Sequence, residues 1–335
     1  MTQMTLAFIG DVMLGRGVNT EIAARPPESF WGNTLPILRS ADAVVTNLEC
    51  AITQSMRLWD QTPKVFHFRA DPKATDVLRA ANIRCVSLAN NHTLDYGEEG
   101  LFDTLKHLDA AGICTAGAGY NLEEAEAPAL FDAAGLKVGV VAFTDNESSF
   151  AADQQKPGTN YIEIKADSST LARVEKAVIR ARDAGAHIVV MSLHWGPNMV
   201  LRPPAQFREF ASAVVRLGVD IVYGHSAHVF QGVQVIDSSL IMYDTGDFLD
   251  DYAVDPDLRN DWSFIFLVEA DECGPTSLYM IPVYLSYAHV DLATGYEFEA
   301  ICNRMRILSS ELGTDLKQTH EGLKLPIRAT VNASR

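Results

Sequence analysis

The sequence predicts an α/β fold. Short apolar runs rich in β-branched residues, each flanked by turn residues, alternate with longer stretches in which apolar residues recur three or four positions apart. From about residue 229, consecutive strand-like runs replace this alternation, which is typical of antiparallel strands. The chain has 335 residues, 47% of them apolar, and a chain of this length buries roughly three quarters of its unfolded surface. Its core therefore needs neither disulfides nor a metal.

The alternating part of the chain is predicted to supply parallel strands and the helices between them. Its apolar runs predict strands at residues 6–9, 43–46, 84–88, 137–143, 187–193 and 220–223. Its helical periodicity predicts helices at residues 73–81, 100–111, 169–184 and 205–217. Ser168, Ser169 and Thr170 are candidate caps at the start of the third helix.

The later part of the chain predicts strands at residues 232–236, 240–243, 264–268 and 277–285, followed by a helix at 295–312. Because no linker rich in Pro, Gly or Ser precedes these strands, we expect them to complete a second sheet packed on the first. The sequence thus predicts a single domain over residues 1–323. Residues 324–335 are predicted to form a loose tail.

The composition of the chain disfavours some classes of partner and indicates a cellular compartment. With 43 acidic against 27 basic residues the formal net charge is -16, which disfavours nucleic acid and anionic membranes as partners. The five cysteines are scattered without disulfide or zinc-site spacing, as is typical of a reducing cytosol. Neither a signal peptide nor an apolar run long enough for a membrane segment is visible. We therefore expect a soluble cytoplasmic protein; its oligomeric state is not predicted.

Potential metal ligands follow five of the predicted strands. They are Asp11 after the first, Glu49 after the second, Asn91 with His92 after the third, His194 after the fifth, and His225 with His228 after the sixth. Taken singly, Asp11 is an ordinary turn former and His194 an ordinary core histidine. Because carboxyl ends of neighbouring strands in α/β sheets converge on one crevice, the joint pattern favours one site. Carboxylate, amide and imidazole donors suit one or two divalent ions such as Mn, Fe, Zn, Mg or Ca.

The ordered motifs resemble those of the CapA-type capsule (poly-gamma-glutamate) synthesis family, over roughly residues 4 to 290. The motifs are Gly10-Asp11-Val12-Met13-Leu14-Gly15-Arg16, Asn47-Leu48-Glu49, Ala89-Asn90-Asn91-His92 with Asp95, His194-Trp195-Gly196, Gly224-His225-x-x-His228 and Gly246-Asp247-Phe248. That family is similar to the calcineurin-like metallophosphoesterases, whose fold has two packed mixed β-sheets flanked by helices and a two-metal site at the strand ends. The resemblance implies metal ligands at six positions: Asp11, Glu49, Asn91, His194, His225 and His228. It implies a general acid at His92.

Two departures from the phosphoesterase pattern leave the number of ions open. Met13 stands where the Asp-x-His motif has its histidine, and two residues rather than one separate His225 from His228. The capsule proteins are usually exported or membrane-anchored, so the expected cytoplasmic location weakens a direct role in an extracellular capsule.

Two chemistries fit these residues. In hydrolysis, metal-activated water attacks a phosphate ester or a glutamate-type polymer or peptide, and His92 acts as acid or base with Asp95 orienting its ring. Asp95 fits a helix N-cap equally well. Because some family relatives modify peptides, the resemblance also allows a peptide epimerase, for example on the C-terminal residue of a lasso-peptide precursor. A third hypothesis is that the protein is a non-catalytic capsule-assembly subunit.

Epimerisation needs two acid–base groups on opposite faces of a Cα centre. His92 with Asp95 is one candidate pair. The other is drawn from His194, His228 or His289 with Asp11 or Asp247.

Residues that recognise a peptide or small anionic substrate are less sharply marked. Arg16 and Arg69 are candidates for binding a carboxylate or phosphate, or are solvated surface arginines. Trp195 is a candidate wall of an apolar pocket, although packing is its commoner role. Asp247 is interpreted as support for a histidine ligand or as a turn residue.

Overall fold

The computed structural model describes residues 2–328, in which strands and helices alternate along most of the chain. The strands are β1 (Gln3–Val12), β2 (Ala43–Leu48), β3 (Ala51–Ile52), β4 (Arg69–Ala70), β5 (Ile83–Ser87), β6 (Cys114–Ala116), β7 (Ala118–Gly119), β8 (Ala129–Ala133), β9 (Leu136–Thr144), β10 (Gly158–Thr159), β11 (Ile188–His194), β12 (Ile221–His225), β13 (Val233–Ile236), β14 (Ser239–Met242), β15 (Asp247–Leu249), β16 (Trp262–Asp271), β17 (Gly274–Ser286), β18 (His289–Leu292), β19 (Lys317–Gln318) and β20 (Leu323–Pro326). The α-helices are α1 (Arg16–Ala24), α2 (Leu35–Ser40), α3 (Ala74–Ala80), α4 (Gly97–Ala110), α5 (Leu122–Ala125), α6 (Ser168–Asp183), α7 (Ala205–Arg216) and α8 (Gly295–Ser310).

The first sheet has the strand order β19-β20-β17-β16-β1-β2-β5-β6, with β15 paired to β1 and β18 to β17. Strands β1, β2, β5 and β6 are parallel, whereas β16 and β17 are antiparallel. Strand β1 pairs with β16 up to Phe8 and then with β15 from Asp11. A Cβ atom at Gly10 would lie 2.0 Å from the carbonyl oxygen of Gly246, so only glycine permits this change of partner.

The second sheet has the order β13-β14-β12-β11-β9-β8, with parallel pairing from β14 through β9 and antiparallel strands at both edges. The two sheets pack face to face, because one hydrophobic core contains Phe8 of β1, Tyr223 of β12 and Phe264 of β16. Helices cover the outer faces, with α4 in the core outside the first sheet and α6 and α7 in the core outside the second. This confirms the prediction of two packed mixed β-sheets flanked by helices.

Three details of the sequence interpretation are corrected. The late strands do not form one sheet: β13 and β14 extend the second sheet, whereas β16 and β17 extend the first. The cap of α6 is Asp167, whose side chain accepts a hydrogen bond from the Thr170 amide. Residues 324–326, expected in a loose tail, pair with β17 because Leu323 and Leu325 are buried against the core. Residues 329–335, the rest of that tail, lie outside the described residues.

One hydrophobic core includes residues from Met4 to Leu325, and the single domain stays a prediction from the sequence. Across residues 2–328, no helix combines the length and the apolar composition required to cross a bilayer.

Candidate metal centre and cleft

The carboxyl ends of the parallel strands bring the candidate ligands together. In register with Asp11 lie Asp247 on β15 and Asn47 on β2, one on each side. In the second sheet His194 ends β11 in register with His225 at the end of β12. Because the two sheets pack face to face, the side chains from both meet at one rim. Strand pairing alone thus brings together residues that lie far apart in the sequence.

A first group of donor atoms contains Asp11, His194 and His225, all within 4.8 Å of one another. The Nδ1 atoms of the two imidazoles are 2.9 Å apart. Nε2 of His194 lies 2.9 Å from Oδ1 of Asn91, and Nε2 of His225 lies 2.8 Å from Oγ of Ser192. All three residues of the group are buried, so the oxygen and nitrogen atoms that could bind a metal face one another rather than water.

A second group contains Asp11, Glu49, His228 and Asp247, also within 4.8 Å of one another. Nδ1 of His228 lies 2.8 Å from Oδ1 of Asp247 and 3.8 Å from Oδ2 of Asp11. Asp11 is therefore common to both groups. Asp247, interpreted from the sequence as support for a histidine ligand or as a turn residue, is itself a member of this group.

The electrostatics of the centre reflect three buried carboxylates at close quarters. Burial, then repulsion from Glu49, raises the pKa of Asp11 well above its usual value, and burial likewise raises the pKa of Glu49 and Asp247. Burial acts to lower the pKa of His228, but the carboxylates around it raise it well above the ordinary value. This concentration of negative groups would be relieved by a cation.

The imidazoles of the first group have the opposite shift. Burial lowers the pKa of His225 to about 3, and burial together with the neighbouring histidine lowers the pKa of His194 well below its usual value. Both rings are thus neutral near pH 7, the state in which imidazole binds metals.

The donor set fits a divalent cation. Within the described chain, the buried atoms Oε1 of Glu49 and Oδ2 of Asp247 have no hydrogen-bond partner, although buried polar atoms are nearly always paired. Both belong to residues of the second group. Carboxylate and imidazole donors at this spacing match the preferences of hard and borderline divalent ions.

His92 stands beside the second group and is held by Asp95. Its Nδ1 lies 2.7 Å from Oδ2 of Asp95, and its Nε2 lies 3.8 Å from Oε1 of Glu49. The ring of Phe68 stacks on it at 4.1 Å. The N-cap residue of α4 is Tyr96, so the geometry favours the ring-orienting interpretation of Asp95 over the helix cap.

A cleft of about 750 Å³ opens over the centre. Its lining comprises Arg16, Pro63, Lys64, Val65, Phe66, Phe68, Asn91, His92, Glu147, Asn198, Met199, His228, Tyr252, Ala253 and Asn260. Four of these residues have left-handed backbone conformations, with φ of 51° at Arg16, 55° at Glu147, 59° at Met199 and 60° at His228. Such conformations are costly for residues other than glycine and cluster at functional sites.

Of the two arginines predicted to recognise a substrate, Arg16 lines the cleft and Arg69 does not. Arg16 lines the cleft and pairs with Asp251 at 3.4 Å. Arg69 instead donates to the carbonyl of Thr53 and to Asp71, away from the cleft lining. Its interpretation as a substrate contact is corrected, because its hydrogen bonds hold a strand and a neighbouring turn.

Two further candidates lie outside the cleft. Trp195 is buried, donates to the carbonyl of Tyr243 and stacks on Phe207 at 4.7 Å, so it is a packing residue rather than a pocket wall. His289 bonds Ser29 and Asp291 and is not part of either donor group. It therefore does not supply the second pair suggested for epimerisation.

Sequence reasoning missed three residues that shape the site. Nδ2 of Asn47 donates to Oδ1 of Asp11 at 2.8 Å, and its position in the Asn-Leu-Glu motif was the available signal. Tyr252 lies with its hydroxyl 3.4 Å from Oε2 of Glu49, and Lys64 contacts Asp95 at 3.3 Å. For these two no motif marked the position.

A buried carboxyl behind the centre makes stability depend on pH. The side chain of Asp244 accepts from the amides of Ala227 and Gly246, yet burial raises its pKa to about 7. Its stabilising contribution is therefore complete below about pH 4 and is lost as pH rises through about 7. We expect wild-type protein in EDTA to lose roughly 2–4 kcal/mol more stability than Asp244→Asn between pH 4 and 7.5.

Urea unfolding at several pH values measures this difference. The exposed Asp132→Asn variant is the control and should follow the wild-type pH profile. Parallel profiles for wild type and Asp244→Asn would contradict the raised pKa.

Comparison with known proteins finds one matching family and several relatives of similar sequence. The family described as "Bacterial capsule synthesis protein PGA_cap" matches residues 5–252. The chain is 30% identical over 250 residues to "PGA biosynthesis protein CapA" of Bacillus subtilis, covering 74% of this chain but only 63% of that protein. It is 30% identical over 354 residues to a "Probable polyglutamine synthesis accessory protein" of Mycobacterium tuberculosis, covering 92% of each.

One solved structure that resembles the chain is that of the calcineurin-like phosphoesterase YfkN from Bacillus subtilis. The two share 11% sequence identity with a TM-score of 0.42, over 93% of this chain and 98% of that one.

Proposed function

The chain belongs to the bacterial capsule synthesis protein family PGA_cap, and on this premise we propose that it is a metal-dependent enzyme with hydrolase-type chemistry. The observation that carries the proposal is the pair of donor groups joined by Asp11 at the base of the cleft. His92 stands beside them with a carboxylate behind its ring. A scaffold without turnover has no need of such a proton donor.

The ligands we propose are Asp11, His194, His225 and Asn91 on one side and Asp11, Glu49, His228 and Asp247 on the other. A divalent ion bound by these residues would supply Lewis-acid chemistry and water activation at neutral pH. Asn47 keeps Asp11 oriented by donating to its Oδ1. Oγ of Ser192 lies 2.8 Å from Nε2 of His225, where it would accept the N–H of an imidazole that binds metal through Nδ1, as partners behind metal ligands commonly do.

His92 is proposed as the acid–base residue. Asp95 at its Nδ1 fixes the ring so that Nε2 faces the second donor group, 3.8 Å from Glu49. In hydrolysis this nitrogen protonates the leaving group. Because the residue lines the cleft, a substrate reaches it directly.

The proposed substrate is a phosphate ester or a glutamate-type polymer or peptide. Arg16 gives the cleft an exposed cation despite the acidic chain, so an anionic group is attracted locally. The names of the relatives refer to PGA biosynthesis and polyglutamine synthesis, which supports a glutamate-type chain. A cytoplasmic location stays a prediction from the sequence.

One observation favours peptide epimerisation as a second candidate. Two imidazoles that line the same cleft, His92 and His228, are each paired with a buried carboxylate, Asp95 and Asp247 respectively. Removing and returning a Cα proton on opposite faces requires two such groups. In this reaction His228 would act as an acid–base residue rather than as a ligand.

Incubation in deuterated water distinguishes the two chemistries. Purified protein with Mn²⁺, Zn²⁺, Mg²⁺ or Ca²⁺ is offered p-nitrophenyl phosphate esters, glutamate oligomers and peptides. Hydrolysis releases phosphate, nitrophenol or shortened chains, whereas epimerisation places deuterium at Cα without cleavage. Neither product with any ion would refute the proposed enzyme activity.

Loss of either ring of the first group should lower metal content. We expect His194→Ala and His225→Ala to lose about one equivalent of ion, because each removes one of a small set of donors. Elemental analysis of purified protein measures this. The exposed His320→Ala is the control, and unchanged metal in both ligand variants would show that the first group is assigned wrongly.

A further inference from the structure

A five-residue part of the cleft wall, residues 64–68, contacts the His92–Asp95 pair from several sides. The amide of Phe68 donates to Oδ2 of Asp95 at 2.6 Å, and its ring stacks on the imidazole of His92. In the same stretch Val65 and Phe66 are 86% and 61% exposed. This stretch therefore touches both the open cleft and the proposed acid–base pair.

Lys64 is buried, unlike Val65 and Phe66, which follow it in the chain. Its side chain is only 7% exposed, with Nζ 3.3 Å from Oδ1 of Asp95. It also donates to the carbonyl of Asn91 at 2.6 Å and lies 4.0 Å from Glu147. A lysine in a surface loop is normally solvated, because burying its ammonium is costly without a partner.

The two oxygens of the Asp95 carboxylate, which Lys64 faces, have different partners. Oδ1 of Asp95 is buried and has no hydrogen bond among residues 2–328, whereas Oδ2 bonds His92 and Phe68. The ammonium of Lys64 is thus the group that compensates this oxygen. Removing it would leave a buried charge, which is a strong reason for the carboxylate to turn away from His92.

We propose that Lys64 is a positioning residue for His92, acting through Asp95. By holding Oδ1, the ammonium fixes the carboxylate plane so that Oδ2 meets Nδ1 of the ring. Its second bond, to Asn91, anchors the backbone immediately before His92. The inference rests on the proposed role of His92 and adds the residue that sets its orientation.

Two measurements on Lys64→Met and Lys64→Arg test the proposal. In ¹⁵N-histidine-labelled protein in EDTA, the proton on Nδ1 of His92 gives a downfield signal, assigned by its loss in His92→Gln. We expect this signal to shift or broaden in Lys64→Met and to be retained in Lys64→Arg. With bis-p-nitrophenyl phosphate and added Mn²⁺, kcat should fall roughly 10- to 100-fold in Lys64→Met with KM little changed.

Lys156→Met is the matched control. Lys156 donates to the Ser149 carbonyl at 2.8 Å and lies over the Trp59 ring. Should Lys64→Met fail to fold by circular dichroism, Lys64→Gln replaces it. A wild-type His92 signal in Lys64→Met, or in Lys64→Gln where that variant replaces it, would overturn the proposal, as would equal effects of Lys156→Met. Absence of turnover in wild type would refute the proposed function alone, since the spectroscopic result is independent of it.

Discussion

Replacing Asp11 with asparagine is expected to remove most bound metal, to lower turnover by roughly 10³-fold and to stabilise the metal-free protein. Asp11 belongs to both donor groups, so one substitution weakens both. The Lewis-acid contribution of an ion is several kcal/mol, equivalent to about three powers of ten in rate. Elemental analysis and steady-state rates with the reactive substrate measure the two losses.

The gain in stability has a separate cause. Burial and the nearby Glu49 carboxylate raise the pKa of Asp11 well above its usual value, so a neutral amide relieves desolvation and repulsion. Its oxygen still accepts the hydrogen bond from Asn47. We expect about 1–3 kcal/mol more stability in EDTA.

Asp220→Asn is the matched control for Asp11→Asn. Asp220 is also largely buried, but it pairs with Arg182 and the Val189 amide away from the cleft. Its replacement should reduce stability and leave metal content unchanged. Wild-type metal content in Asp11→Asn would refute the shared-ligand assignment.

His92→Ala is expected to abolish most turnover while metal binding persists. A positioned acid or base contributes roughly 10²- to 10⁴-fold, and His92 is not a member of either donor group. The stack on Phe68 is lost, so a modest decrease in stability is also expected. Rates at saturating substrate, together with elemental analysis, separate these effects.

His320→Ala is the control for histidine removal, because that side chain is 88% exposed. Unchanged turnover in His92→Ala would exclude His92 as the proton donor. A parallel loss of metal would instead indicate that His92 is a ligand.

The convergence of the ligands could be predicted because parallel strands share a direction. Asp11, His194 and His225 lie at or near strand ends, and strand ends in one layer meet at one rim. The apolar runs marked these strands with errors of a few residues. The first helix, α1, was missed since Val18 and Ile22 are its only buried side chains among the described residues, too few for a clear periodicity.

Other features depend on contacts that the sequence does not encode locally. Assignment of β13, β14, β16 and β17 to sheets requires knowing which edge each one joins. Asp247 became a member of the donor group through its register with Asp11, and no spacing rule predicts that register. Arg69 lies near the motifs in sequence and Trp195 lies within one, but their side chains contact Asp71 and Phe207 respectively rather than the cleft, and sequence proximity does not predict those contacts.

The residues that form the two donor groups extend from Asp11 to Asp247, so the centre exists only after most of the chain has acquired its native topology. Contacts of such long sequence separation form late during folding. An ion that binds there would consequently leave the rate of folding nearly unchanged and slow unfolding instead. Its benefit to the protein, beyond chemistry, would be a longer lifetime against proteolysis.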